Sequence, residues 1–411
     1  MTDPNVRVIT DDELATSLNV VRSAFLGPPV TDEQVAARRP YTEIDRCHGA
    51  FDEDGRMGGF ARAFATSLTV QGGELACGAV SAVGVLPTHR RRGYLSRLME
   101  VQLTDIAARG EQVAALIAAE YPIYGRFGYG PATEAVTLRV DAGSVRWLDE
   151  ATGRVELVDN DTFAKEVDAL YDRVRRTTPG HIVWETDRWR VYAGVQHWPD
   201  GEEEARRNAA KVVWRDEAGE VQAAAAYRVE GKWEQNRPAG HLTAEILVAA
   251  SGRAEVELVR FLGAVDWVRD VTVHLRPIDD PVPLALVDAR MARLQDRSDH
   301  LWVRILDVPA TLGGRCYATD GSVVIEVVDP MGFAGGRFRL DGGPDGAECV
   351  TTRDEPHLVV PARALGAACL GGHSWGRLAA AGWVDEAQPG AIERASALFT
   401  TARVPWCAMT F

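Results

Sequence analysis

The spacing of apolar positions changes period several times along the chain. Alternation over residues 6–9 predicts a short strand, and the T-x-x-E box from Thr10 to Glu13 opens an apolar-periodic helix that Gly27 closes. A second helix is expected from Thr31. After Cys47 come three strand-like runs, broken at Asp54-Gly55 and Gly72-Gly73, and these turn dipeptides predict an antiparallel meander. The third run, residues 74–86, leads into Pro87-Thr88-His89-Arg90-Arg91-Arg92-Gly93 and then a long helix over 94–109 with Gly110 past its end. A buried strand at 113–118, a glycine-rich segment at 124–130 and a strand near 136–140 complete the order.

From about Val155 a similar order returns: strand, helix over 163–176, a break at Pro179-Gly180, a hairpin across 216–219 and a strand at 242–249. A Ser251-capped helix and a strand at 271–275 close this second copy, which rests on element order rather than on sequence identity. Beyond roughly Arg290 the pattern changes to strands at 301–306 and 323–328, glycine turns, and helices at 362–370, 377–381 and from Ala391. The expected architecture is therefore α/β (α+β) in three domains, residues 1–150, 151–290 and 291–411.

Composition narrows the function. The 411 residues are 46% hydrophobic and 25% charged, the make-up of a soluble globular protein with several cores. A net charge of -14 repels phosphodiester backbones, so nucleic acid is not expected as a partner. The six cysteines form no C-x-x-C pair and lie beside no histidine run, so no metal is expected and they read as reduced thiols. No basic leader and no stretch of 18 apolar residues is present, which predicts a cytoplasmic protein with no membrane partner.

The most informative segment runs from Val80 to Leu95. A strand, an arginine-rich turn with Gly93 and a helix N-terminus together offer free backbone N–H groups, a favourable dipole and guanidinium charge, the ingredients of a pyrophosphate site. A solvated basic turn would account for the arginines alone, but not for the strand-turn-helix context. Beside it, Val83-Gly84-Val85 could pair by its backbone with an extended, amide-bearing ligand, and coenzyme A combines both features.

R-x-x-G-x over Arg90 to Tyr94 resembles the acetyl-CoA loop of the GCN5-related N-acetyltransferases, with Leu95 where that family usually has Gly or Ala. The run V-x-V-x-P-T-H-R-R-R-G, followed some 30 residues later by Ile123-Tyr124-Gly125-Arg126-Phe127-Gly128-Tyr129-Gly130-Pro131, resembles the Eis (enhanced intracellular survival) family within them. That resemblance implies two tandem acetyltransferase-like domains and a sterol-carrier-protein-like domain with a Leu370-Gly371-Gly372 turn. It implies an acetyl-CoA-dependent N-acetyltransferase, a homo-hexamer, that transfers acetyl directly in a ternary complex to a primary amine. Aminoglycoside-like compounds, other polyamines and lysine side chains are the amine classes.

By the same resemblance Val83 and Val85 hold pantetheine, and Arg90, Arg91, Gly93 and Tyr94 hold the phosphates. Tyr124 is the general acid, and the terminal carboxylate of Phe411 accepts a proton from the substrate ammonium. A phenol suits the first task because its reference pKa of about 10 keeps it protonated at pH 7. Core packing is the competing account of Tyr124, and Glu120 is a rival base. The second copy has no arginine-glycine turn after its central strand, so one coenzyme site per chain is expected.

Two other classes compete. Gly372-His373-Ser374-Trp375-Gly376 matches the G-x-S-x-G nucleophile elbow, but no histidine follows Ser374 and the preceding residues read as helix. A non-catalytic carrier or scaffold, binding an apolar ligand in its last domain, is the remaining alternative; the coexistence of Tyr124 with the arginine loop argues against it.

Overall fold

The computed structural model describes residues 4–411. The chain divides into two compact units, one holding the residues up to Thr133 with His300–Arg403 and Thr410–Phe411, the other Glu134–Asp299 with Val404–Met409.

The first unit contains a seven-stranded sheet in the order Asn5–Val8, Cys47–Phe51, Met57–Val70, Gly73–Val85, Val113–Ile117, Leu301–Ile305, Gly130–Pro131. Local chemistry sets its first part. Gly55, at φ +76°, completes the turn between Cys47–Phe51 and Met57–Val70, with its N–H donating to Asp52 O over 3.0 Å. Gly72, at φ +77°, does the same for the next hairpin. The Thr10 N–H donates to Glu13 Oε2 over 2.9 Å ahead of the helix Leu14–Ala24, and Thr31 and Gln34 cap Asp32–Arg38 reciprocally. The meander is antiparallel; Gly73–Val85 and Val113–Ile117 are parallel, and the helix Tyr94–Ala108 makes the crossover between them.

The same unit carries a five-stranded sheet, Gly346–Thr351, Gly336–Gly343, Gly321–Val328, Leu358–Pro361, Asp385–Glu386, with helices Ala362–Ala368, Trp375–Ala380 and Ala391–Phe399. Its interior is filled by Trp375, Phe399 and Tyr317, packed edge to face at 5.1–5.3 Å. The buried Arg315 guanidinium lies 4.6 Å from the Tyr317 centroid and 5.2 Å from that of Phe399. A buried guanidinium therefore packs against two aromatic rings here.

The second unit is built on a seven-stranded sheet in the order Ala292–Asp299, Glu134–Asp141, Val268–Arg276, Gly240–Ala249, Val221–Glu230, Ala210–Arg215, Arg154–Leu157. The helix Gly252–Gly263 crosses over between its parallel pair.

Two strands lie elsewhere than the linear pattern suggests. Glu134–Asp141, whose alternation buries Val136, Leu138 and Val140, pairs with Val268–Arg276 and Ala292–Asp299 in the second sheet instead of ending the first. Leu301–Ile305, expected to open the third domain, is wholly buried between Val113–Ile117 and Gly130–Pro131 in the first sheet. The first sheet thus loses one expected strand to the second and gains one from the segment expected to open the third domain. Ser374 accepts a hydrogen bond from Arg377 N at the start of Trp375–Ala380, so G-x-S-x-G is a helix cap between two helices and not a nucleophile elbow. Among the described residues, no helix is long and apolar enough to cross a membrane.

Candidate active site

The site begins where two strands part. Gly73–Val85 pairs with Val113–Ile117 only from Cys77 to Ala79, whose partner is Ala115. Past that point Gly73–Val85 stays with Met57–Val70 and bulges: Arg62 faces Ser81 and Phe60 faces Gly84, leaving Ala82 and Val83 opposite Ala61, with Ala82 at φ +53°. The bulge bends the strand away from its parallel neighbour and opens a wedge. Main-chain groups of successive strand residues point to opposite edges. Since Leu86 N donates to Gly58 O over 2.9 Å, the groups of Val85 and Val83 face the open side.

At the mouth of the wedge, Gly93, at φ +84°, precedes Tyr94–Ala108, and no side chain caps that helix. Its first intrahelical bond is Arg97 N to Gly93 O, 3.0 Å, which leaves the earlier N–H groups free for an acceptor. A Cβ on Gly93 would meet nothing within 4 Å, so glycine is required there by conformation and not by space. Arg91 is also left-handed, at φ +60°, and such a turn aims consecutive N–H groups to one side. Arg90, Arg91 and Arg92 are exposed and make no ion pair among the described residues. Arg90 Nε reaches Val85 O at 3.4 Å, joining turn to strand edge. Leu95 is half-buried against the cluster of Val80, Met99 and Leu103, so this helix start accommodates a large side chain.

Tyr124 ends the one-turn helix Tyr121–Tyr124 that follows Val113–Ile117. It is 8% exposed, within a cluster formed by Ala63, Val80, Met99, Leu116, Phe127, Tyr129 and Trp302, with Val83 and Leu95 packed against it. Burial, reinforced by the nearby Glu120 carboxylate, pushes its phenol up to about 12. Glu120 itself is exposed, at the start of the one-turn helix. The Phe411 ring packs edge to face on Phe64, 5.6 Å between centroids. Phe64 is the cross-strand partner of Ala79, the last residue before the wedge opens, so the Phe411 ring lies beside the point where the strands separate. Val83, Val85, Arg90, Arg91, Gly93, Tyr94, Tyr124 and Phe411 thus all belong to one unit.

Sequence reading missed Phe64, which no motif marks, and Arg304, buried 175 positions after Tyr129 in the chain yet close enough to bear on its phenol. A lone arginine in an apolar run, Leu301-Trp302-Val303-Arg304-Ile305, was the available signal for the latter.

A sheet splayed at a bulge, with an uncapped helix N-terminus at its mouth, is a geometry suited to an extended, phosphate-bearing ligand. Models of the acetyltransferase (GNAT) domain match residues 5–132 and 180–305, and one of the sterol carrier protein domain matches 308–408. An uncharacterized N-acetyltransferase of Streptomyces avermitilis is 39% identical, over 98% of this chain and 98% of that protein. N-acetyltransferase Eis of Mycobacterium tuberculosis is 34% identical, over 78% of this chain and 77% of that protein. The crystal structure of Eis1 from Mycobacterium abscessus matches with a TM-score of 0.86 at 33% identity, covering 99% of this chain and all of that one. The chain belongs to the Eis family of N-acetyltransferases: two acetyltransferase domains followed by a sterol-carrier-like domain.

Proposed function

We propose that the chain transfers acetyl from acetyl-CoA directly to the primary amine of a small molecule, with aminoglycoside-like and other polyamines or lysine side chains as the amine classes. The observation that carries this reading is the junction of an unpaired strand edge, an uncapped helix N-terminus with arginines that make no ion pair among the described residues, and a buried phenol. The main-chain groups of Val83 and Val85 hold the amides of pantetheine. Arg90 and Arg91, with the N–H groups of Gly93 and Tyr94, hold the pyrophosphate.

An amine attacks a thioester only as the free base, so its proton must leave first. The α-carboxylate of Phe411 orients the ammonium and takes that proton. The amine nitrogen then bonds to the acetyl carbon, the carbon–sulfur bond breaks, and the Tyr124 proton goes to the departing sulfur. The second proton of the acylated nitrogen passes to the Tyr124 oxygen, which restores the phenol and leaves the proton taken by Phe411 as the one released to solvent. The raised pKa of Tyr124 keeps that proton available throughout the working pH range. The charge of -14 favours cationic substrates near the surface.

The test is Tyr124→Phe, followed by thiol release over a panel of amines. Turnover should fall about 10²- to 10⁴-fold with acetyl-CoA affinity unchanged; undiminished turnover would reject the assignment. A few residues added after Phe411 should abolish transfer and spare coenzyme binding, whereas Glu120→Gln should leave transfer largely intact. The opposite pair of results would move the base to Glu120. A homo-hexameric cytoplasmic enzyme is the accompanying proposal, which light scattering showing a monomer at micromolar concentration would refute.

A further inference from the structure

Behind Tyr124 lies a set of buried polar groups that packing alone does not require. Tyr129 is fully buried, its ring edge-on to that of Tyr124 with 5.9 Å between centroids, and its hydroxyl has no hydrogen-bond partner. Phenylalanine would fill the same space without leaving a polar atom unpaired. Next to it Arg304, also fully buried, gives Nη2 to Asp329 over 2.6 Å and keeps Nε and Nη1 without partners. Room for the guanidinium is cleared by Gly128, where a Cβ would stand 2.7 Å from Cζ. Asp329 is held by the N–H groups of Met331 and Ala334 at 3.2 and 2.8 Å, so the ion pair is fixed from behind.

Three orphaned polar atoms on two side chains therefore adjoin the candidate acid inside an otherwise apolar cluster. A phenol raised to about 12 donates its proton to a thiolate, of reference pKa about 8.5, some three orders of magnitude uphill. Beside burial, the groups bearing on the two phenols are Glu120, which raises Tyr124, and Tyr124, Arg304 and Cys77 around Tyr129, of which Arg304 alone lowers it. Arg304 is the only cation among them.

We propose that Tyr129, backed by Arg304, is a positioning residue for Tyr124: its O–H donates a hydrogen bond to the Tyr124 oxygen as that oxygen gives its proton to the departing sulfur, while the free N–H groups of Arg304 turn to the Tyr129 oxygen. No proton leaves Tyr129, and the orphaned atoms find partners only while the negative charge is present, which is differential stabilisation of the transition state. The inference rests on Tyr124 being the acid.

The experiment compares Tyr129→Phe, Tyr124→Phe and the double variant in steady-state turnover, with denaturant midpoints alongside. Loss of one hydrogen bond to a developing charge should lower kcat of Tyr129→Phe about 10- to 100-fold. Its KM for acetyl-CoA should stay within twofold and its midpoint should not fall. In the Tyr124→Phe background the second change should cost nothing more. Full turnover in Tyr129→Phe with a crippled Tyr124→Phe, or additive losses in the double variant, would overturn the inference and leave the acid standing. Full turnover in both single variants would instead overturn the acid itself.

Discussion

Each of the two sheets contains the same junction, and the two are filled differently. In the first, parallel pairing stops at Ala79 and the bulge lies at Ala82. In the second, Gly240–Ala249 pairs with Val268–Arg276 only as far as Ala244, and its bulge lies at Glu245, where Ala226 faces Ile246 and Tyr227 faces Ala244. Both strands splay, so the fold makes a wedge twice. What fills it differs. In the second sheet Arg276 turns into the opening and donates Nη1 to Leu247 O at 3.3 Å, beyond the last paired residue. It also pairs with Glu255 and, at 3.0 Å, with Asp280, all three buried. The Trp406 ring covers the guanidinium at 5.0 Å and donates Nε1–H to Leu275 O.

The helix starts differ in the same sense. Ser251 accepts from Ala254 N and caps Gly252–Gly263, whereas Gly93 offers Tyr94–Ala108 no side chain. Arg253 is tied to Asp149 and Glu257 at 3.1 and 2.8 Å, while Arg90 and Arg91 make no ion pair among the described residues. A phosphate entering the second junction would meet a capped helix and an arginine already held by Glu255 and Asp280. On the proposed function, coenzyme binding depends less on the fold than on leaving the helix N-terminus and the strand edge unsatisfied.

The sharpest way to break this contrast is Arg276→Met, which strands Glu255 and Asp280 without a cation. It should cost about 3 to 5 kcal/mol by denaturant unfolding, with coenzyme affinity intact. The same cluster carries a pH dependence. Burial pushes Glu255 up to about 8, against about 4.3 in the unfolded chain, even though Arg276 opposes the shift. The folded protein then holds a proton that the unfolded one releases, so this contribution is complete below about pH 4.3 and is lost as the pH rises through about 8. Midpoints measured between pH 5 and 9 should flatten in Glu255→Gln.

Next in size, the double change Arg90→Ala with Arg91→Ala should weaken acetyl-CoA binding about 100-fold and leave unfolding unchanged, the reverse of Arg276→Met. Calorimetric affinity within twofold of the parent would remove the proposed pyrophosphate site. Gly93→Ala should cost about 1 to 2 kcal/mol of stability through its left-handed backbone and also weaken coenzyme binding. Smallest is Ser251→Ala, about 1 kcal/mol of stability with no change in acetyl-CoA affinity, since that cap serves only its own helix.

Much of this was legible along the chain because its causes are local. The Thr10 box and the Ser251 cap, the turns at Gly55 and Gly72, and the arginine-glycine loop before Tyr94 each rest on residues a few positions apart, and the helix expected over 94–109 is Tyr94–Ala108. The resemblance drawn from the two long motifs correctly gave the family and its three-part architecture. Less legible was which sheet a strand joins. The alternation of Glu134–Asp141 and the fully apolar face of Leu301–Ile305 satisfy either sheet equally well, because period two records that a strand is buried and not against what.

By itself, then, the sequence determined the elements, their caps and the chemistry of the arginine-glycine loop, since hydrogen bonds and sterics within a few residues fix those. Only the tertiary structure decided that the strands past Ala79 part while Arg276 plugs the corresponding gap, that Phe411 meets Phe64, and that Arg304 stands behind Tyr129. Those outcomes join residues up to about 350 positions apart. They follow from how whole sheets close around their buried side chains, a condition no local window contains.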